Sequence, residues 1–122
     1  MAKTSGKIVW VDLTVPDAQK VRDFYAGVVG WTPTGVDMGG YEDFNMNSAD
    51  GEPAAGVCWR RGTNANIPPA WLIYITVEDI DASIARCADL GGEVIEPVRA
   101  VATGRMAIIR DPAGAVAGLY QV

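Results

Sequence analysis

Residues 10–17 read Trp-Val-Asp-Leu-Thr-Val-Pro-Asp, and residues 72–79 read Leu-Ile-Tyr-Ile-Thr-Val-Glu-Asp. The Thr-Val-x-Asp pattern of the first stretch recurs in the second at an offset of 62, about half of the 122 residues. Each copy is an alternating segment that runs into an acidic residue, then an amphipathic segment, then glycine. A duplicated strand–helix unit is expected to build a pseudo-symmetric sheet with a cavity where its halves meet. The side chains that line this cavity should therefore decide the function.

Composition excludes several classes of partner. The formal net charge is −5, histidine is absent, and Arg60-Arg61 is the densest basic cluster, so the basic footprint of a nucleic-acid binder is missing. No apolar run approaches the roughly 20 residues of a membrane span, and the N-terminus has no secretory h-region. We expect a soluble, cytoplasmic protein of one domain, residues 1–122, with neither nucleic acid nor membrane as a partner.

The first half of the chain has the periodicity of a strand followed by a helix. Residues 7–15 alternate with a period of two, which predicts a half-buried strand. Asp17 is expected to cap the following helix, and Gly30 to end it. Residues at i, i+3, i+4 and i+7 predict one apolar stripe on this helix: Val21, Phe24, Tyr25 and Val28.

The second half repeats this order. Either Asp79 or Asp81 is expected to cap its helix, and Gly91-Gly92 to end it. Short strands separated by turn residues follow the helix in both halves. Both halves are therefore predicted to be βαβββ modules, module 1 at about 7–61 and module 2 at about 70–122.

The two cysteines, Cys58 and Cys87, indicate free thiols. Two cysteines are too few for a disulfide framework, and they lack the spacing of metal ligands. Cys58 lies in a predicted strand and could be a nucleophile, but no histidine is present to activate it. We expect Cys58 to be a buried and inert thiol.

Four motifs are spread along nearly the whole chain: Val15-Pro16-Asp17, Phe24-Tyr25 with Val29-Gly30-Trp31, Val77-Glu78-Asp79 with Gly91-Gly92, and Asp111-Pro112-Ala113-Gly114. In these motifs the chain resembles the vicinal oxygen chelate superfamily, which includes glyoxalase I, extradiol dioxygenases and bleomycin resistance proteins. The resemblance implies an α+β fold in which two βαβββ modules form a curved mixed sheet around a ligand cavity, a glyoxalase/bleomycin resistance-like fold. It also implies a homodimer, since a second subunit completes the cavity in many small members.

This chain departs from the family at the metal site. The family's enzymes hold a divalent metal with one residue, usually His or Glu, from each of four strands. By the family's spacing these positions are Trp10, Cys58, Leu72 and Gly118 in this chain, with Cys58 the least securely placed. Metals of this type need roughly three or more protein ligands, and indole, isobutyl and glycine supply none. We therefore expect no metal and no other cofactor.

Apolar and aromatic residues stand in place of metal ligands. A concave site with aromatic walls and a few polar groups commonly holds a small organic molecule. Asp12 could accept a hydrogen bond from a ligand or act as a base, or it could pair with an arginine such as Arg60 or Arg105. Strand alternation predicts ten ligand-binding residues: Trp10, Asp12, Cys58, Arg60, Leu72, Tyr74, Met106, Ile108, Gly118 and Tyr120.

Three classes of function remain open. The first is a metal-free protein that binds an aromatic or planar organic ligand, similar to the bleomycin-type resistance proteins. The second is a metal-independent isomerase or lyase that uses Asp12 or Tyr74 for proton transfer. The third is an interaction or regulatory module whose cavity is vestigial. The sequence identifies neither the ligand nor a reaction.

Overall fold

The computed structural model describes residues 5–122, which form eight strands and two α-helices. The order βαβββ occurs twice, so the predicted α+β class and the two modules are confirmed. The elements are β1 (Ile8–Val15), α1 (Ala18–Val29), β2 (Thr32–Asp37), β3 (Glu42–Asn47), β4 (Pro53–Trp59), a 3₁₀ turn (Gly62–Asn64), β5 (Trp71–Thr76), α2 (Ile80–Asp89), β6 (Glu93–Val101), β7 (Gly104–Arg110) and β8 (Val116–Gln121).

The chain divides into two compact units. The first unit is Val11–Trp71, and the second unit comprises Leu72–Val122 together with the residues up to Trp10. Backbone hydrogen bonds explain why the start of the chain belongs to the second unit. Gly6 N–H donates to the carbonyl of Thr76 at 2.7 Å, and Thr76 N–H donates to the carbonyl of Lys7 at 2.8 Å.

Both units arrange their strands in the same way. The first has the strand order β2-β3-β4-β1 and the second β6-β7-β8-β5, with one parallel pair in each. Asp12 lies opposite Gly56 and Tyr74 lies opposite Gly118, a separation of 44 residues in both cases. The offset of 62 read from the sequence converts one pair into the other, so the duplication extends to the register of the sheet.

Both helices begin at a predicted capping residue. Asp17 accepts a hydrogen bond from Lys20 N–H at 3.0 Å, and Asp79 accepts one from Ala82 N–H at 3.1 Å. Of the two candidates for the second cap, Asp79 is therefore the N-cap. Gly30 ends α1 with a φ of 84°, a left-handed conformation that glycine adopts without the strain of a Cβ.

The predicted apolar stripe of α1 is only partly correct. Val21 and Tyr25 pack against the core of the first unit, whereas the Phe24 and Val28 side chains are 56% and 66% exposed. The buried residues of that core come mainly from the strand face beneath the helix: Leu13, Val15, Ala18, Phe44, Met46 and Val57. In the described part of the chain, neither helix is long and apolar enough to span a membrane.

Candidate functional site

In each unit, one face of the sheet is covered by the helix and the other is helix-free. In the second unit, Ile80 of α2 packs with Ala107 and Leu119, so these strand residues point toward the helix. Their neighbours along the strands point to the opposite face, because successive side chains of a strand alternate. We call this opposite side the helix-free face.

The predicted residues of the second unit form ordered rows on its helix-free face. Tyr74 lies opposite Gly118, which in turn lies opposite Ile108 on the next strand. In the adjacent row, Tyr120 lies opposite Met106. Leu72 precedes Tyr74 by two positions and is fully buried. Strand alternation therefore assigned these residues to one face of the sheet correctly, and their contact with a ligand stays a prediction.

The Tyr74 ring occupies the space above Gly118. A Cβ built on Gly118 would lie 2.3 Å from Tyr74 Cδ1 and 2.4 Å from Cε1, closer than real Cβ contacts come. Glycine at 118 and tyrosine at 74 thus fit together, and the ring takes the place of a side chain at position 118.

Two further aromatic residues of the second unit are half-buried, Trp10 and Tyr120. The Tyr120 hydroxyl forms a hydrogen bond with Thr103 Oγ1, in the turn between β6 and β7. This contact fixes the polar end of Tyr120 and leaves its ring as part of the helix-free face.

Sequence reasoning missed two charged residues on the same face. Glu96 lies opposite Ile108, and Arg99 lies opposite Met106. Residues directly opposite each other on paired strands point to the same side. Glu96 and Arg99 therefore share the helix-free face with the predicted set.

The first unit presents a polar counterpart on its own helix-free face. Thr14 lies opposite Cys58, and Asp12 lies two positions earlier on β1. Asp43, which the sequence analysis did not include, is buried beside them: its Oδ1 accepts the Trp59 N–H at 2.9 Å, and its carboxylate also hydrogen-bonds the Cys58 thiol. A buried carboxylate thus supports the strand at Cys58.

Cys58 is held in its protonated form. Burial is the largest cause that raises the pKa of this thiol above its ordinary value of 9.0, and the negative charges of Asp12 and Asp43 raise it further. Since the thiolate is the nucleophile and the metal ligand, this environment makes Cys58 unreactive. Cys58 and Cys87 are both free cysteines, as expected.

The two arginines considered as partners of Asp12 make other contacts. Arg60 Nε donates to the carbonyl of Ile67 at 3.0 Å, while its buried Nη2 has no hydrogen-bond partner among residues 5–122. Arg105 Nη1 lies 3.0 Å from an Asp81 carboxylate oxygen. Arg105 therefore forms an ion pair with α2, because its long side chain extends to the start of that helix.

The residues at the family's metal positions do not fit a metal. Trp10, Leu72 and Gly118 have no ligating side-chain atom, and no side chain fits at 118 beneath the Tyr74 ring. The register makes Gly56 the counterpart of Gly118 in the first unit, so Cys58 does not occupy the metal position related by the duplication. The Cys58 thiol is also protonated, and a protonated thiol does not ligate a metal. Within the described range, no three His, Cys, Asp or Glu side chains are grouped closely enough to hold a metal.

Two βαβββ units with a shared register define an α+β protein of the glyoxalase type. The chain belongs to the Glyoxalase/Bleomycin resistance protein/Dioxygenase superfamily, whose family model matches residues 7–117. The family resemblance inferred from the sequence motifs is thereby confirmed.

Relatives of this chain have varied names. It is 33% identical to the anthracycline biosynthesis protein DnrV of Streptomyces peucetius, over 95% of this chain and 47% of that protein. It is 36% identical to CFP32, a candidate glyoxylase of Mycobacterium tuberculosis, over 92% of this chain and 44% of that protein. The chain thus spans about half the length of the curated relatives it matches.

A solved structure shares the fold. It is a glyoxalase/bleomycin resistance protein/dioxygenase superfamily member from Vibrio splendidus 12B01, which aligns with a TM-score of 0.61 at 12% identity. The alignment covers 95% of this chain and all of that one. At this level of identity the likeness shows the fold alone.

Proposed function

We propose that this protein binds a planar or aromatic organic molecule without a metal, using the helix-free face of its sheet. The observation that carries the proposal is the placement of the Tyr74 ring over Gly118. An aromatic surface there replaces the side chain with which the family's enzymes ligate a metal. The chain has kept the sheet of the family and exchanged metal-binding chemistry for an apolar surface.

The chemistry of this face suits such a ligand. Trp10 and Tyr120 offer half-buried rings on which a planar molecule can stack. The buried Tyr74 ring supports this face at Gly118, and Met106 adds a polarisable side chain. A stacked aromatic pair contributes roughly 0.5–1.5 kcal/mol beyond the area it buries. Apolar burial supplies the affinity, and the few polar groups set the orientation.

Two names among the relatives agree with this ligand class. DnrV and DauV are both named anthracycline biosynthesis proteins, and anthracyclines are planar polycyclic aromatic compounds. For this chain we propose only the chemical class. Asp12 and Cys58 lie on the polar helix-free face of the first unit, and Arg60 follows β4 in the same unit. Ligand contact by these three residues stays a separate prediction.

Tryptophan fluorescence tests the proposal. Quinoline, 4-aminoquinoline and the anthracycline daunorubicin serve as planar probes. We expect saturable quenching by at least one probe, and Trp10→Phe should remove most of it. The matched control is Trp31→Phe, which alters a ring in the helix-side core of the first unit and should leave the quenching largely intact.

The same experiment separates the other classes of function. If no probe gives saturable quenching, or if Trp10→Phe leaves the quenching unchanged, ligand binding on this face is refuted and an interaction module becomes the better interpretation. Native mass spectrometry of protein purified from its own host adds a second readout, because a retained small molecule supports binding directly.

A metal-independent isomerase or lyase is the second candidate, favoured by one specific observation. Two carboxylates, Asp12 and Asp43, raise the pKa of the same thiol and therefore lie close to it. A carboxylate in a partly dry environment can act as a general base. The test is hydrogen exchange between a retained ligand and heavy water. Exchange on the wild-type protein but not on Asp12→Asn would support proton transfer by Asp12. Equal exchange on both proteins would exclude Asp12 as the base.

A further inference from the structure

Glu96 is a charged residue with a buried carboxylate oxygen on the helix-free face. It lies in β6 opposite Ile108, on the helix-free face of the second unit, and is half-buried. Glu93 on the same strand is different, because its side chain is exposed and pairs with Arg110. The two glutamates of β6 therefore differ in both exposure and ion pairing.

One carboxylate oxygen of Glu96 is left without a partner. Its Oε1 is buried, and no residue in the described range 5–122 donates a hydrogen bond to it. An unsatisfied buried acceptor costs about 1–3 kcal/mol, and more when it carries charge. Native structures keep few such atoms, so each one calls for a partner that binds later or for a functional reason.

The nearest charged position in the register does not supply that partner. Arg99 lies opposite Met106, one row from Glu96, and its Nη2 contacts Met106 Sδ at 3.6 Å. Glu96 lies on the helix-free face, and its Oε1 atom therefore keeps its acceptor lone pairs available there.

We propose that Glu96 is a specificity-determining residue that accepts a hydrogen bond from a cationic N–H group of the ligand. This inference rests on the proposed function, and it narrows the ligand class to planar aromatic molecules that bear a protonated amine or a comparable N–H donor. A charge-assisted hydrogen bond in a partly dry site is shorter and stronger than a neutral one. The stacked ring provides affinity, and Glu96 selects for the cation.

Two probes of similar shape test the selectivity. At pH 8, 4-aminoquinoline is a cation with N–H donors, whereas quinoline is neutral and lacks them. We expect the Kd of the wild-type protein for 4-aminoquinoline to be lower than its Kd for quinoline by about tenfold or more, because one charge-assisted hydrogen bond contributes that much. Glu96→Gln should remove most of that preference and leave quinoline binding unchanged.

Glu52→Gln is the matched control. It makes the same chemical change and the same change in net charge at an exposed site in the first unit. If both variants weaken 4-aminoquinoline binding equally, general attraction to an acidic protein explains the preference and the inference is overturned. If Glu96→Gln keeps the wild-type preference while both probes bind, Glu96 is also excluded, yet the proposed function stands. If 4-aminoquinoline does not bind the wild-type protein while another planar probe does, the inference is overturned and the proposed function stands. If none of the three planar probes binds, both are overturned.

Thermal unfolding without ligand gives an independent readout. Because Glu96→Gln removes a buried charge with an unsatisfied oxygen, its Tm should equal or exceed that of the wild-type protein. A clear decrease in Tm would mean that the carboxylate stabilises the folded chain itself, and would overturn the inference.

Discussion

The Tyr74 ring and the Cα of Gly118 are so close that a Cβ at position 118 would lie 2.3 Å from Tyr74 Cδ1. The two residues are also directly opposite each other in the parallel pair of β5 and β8. The size of the side chain at position 74 therefore limits which residue fits at position 118. This relationship excludes a metal-ligating side chain at 118 for as long as the ring remains.

Gly118→Ala should destabilise the protein by about 1–3 kcal/mol, the usual cost of adding a methyl group to a packed site. Tyr74→Leu in the same chain should recover part of that loss, because it removes the ring that the new Cβ meets. Urea unfolding of the two single variants and the double variant measures this coupling.

Gly27→Ala is the control for that series. Gly27 lies within α1, and apart from the nearby backbone of that helix no described atom lies within 4 Å of the position that a Cβ would take there. Alanine at 27 should therefore stabilise the helix by roughly 0.5–1 kcal/mol.

Strict additivity of the Tyr74 and Gly118 effects would contradict the close packing described above.

Stability should decline at alkaline pH because of Cys58. The raised pKa means that the folded protein keeps the thiol proton at pH values where the unfolded chain releases it. The contribution of the Cys58 thiol to the free energy of unfolding is fully present below the ordinary thiol pKa of 9.0. As the pH rises above 9.0, that contribution falls by up to about 1.4 kcal/mol per pH unit.

Chemical unfolding between pH 8 and pH 10 checks this slope. Cys58→Ala should show a shallower decline than the wild-type protein, whatever its absolute stability. Cys87→Ala, the matched control, should keep the wild-type slope. Equal slopes for all three proteins would show that the Cys58 thiol does not titrate differently on folding.

The purified protein should contain no stoichiometric divalent metal. The reason is the donor set, since Trp10, Leu72 and Gly118 offer no ligand atoms and the Cys58 thiol is protonated. Elemental analysis after gentle chelation measures this directly. About one zinc, nickel, iron or manganese per chain would show that ligands outside the family's positions are used.

We expect a homodimer in solution. The Phe24 and Val28 side chains of α1, together with Ile8 at the start of β1, expose large apolar groups that association could cover. Light scattering should give about twice the 12.9 kDa of one chain. A mass of one chain that does not change with concentration would count against the dimer.

Local patterns predicted much of the fold. Alternation located the strands. Asp17 was predicted as one helix cap and Asp79 was one of two candidates for the other, because a carboxylate satisfies free N–H groups at a helix start. In the Asp111-Pro112-Ala113-Gly114 motif, the Asp111 side chain stabilises a turn because it accepts the N–H groups of Ala113 and Ala115. These features depend on residues within a few positions of one another.

The parts of the candidate site that were missed depend on contacts that alternation cannot show. Glu96 and Arg99 are three residues apart and would point to opposite faces of a regular strand, but shifts in the register of β6 place both on one face. Asp43 was missed because its hydrogen-bond partners, Cys58 and Trp59, lie on another strand. Irregular register and long-range pairing are set by tertiary packing.

The separation of 44 residues within each parallel pair has a consequence for folding kinetics. Neither β1 with β4 nor β5 with β8 can pair until a chain segment of that length has closed, and closure costs entropy before the contacts compensate for it. The antiparallel hairpins between β3 and β4 and between β7 and β8 close much shorter loops. The hairpins should therefore form early, and pairing of the first strand of each unit with its fourth should limit the rate at which the chain reaches its native state.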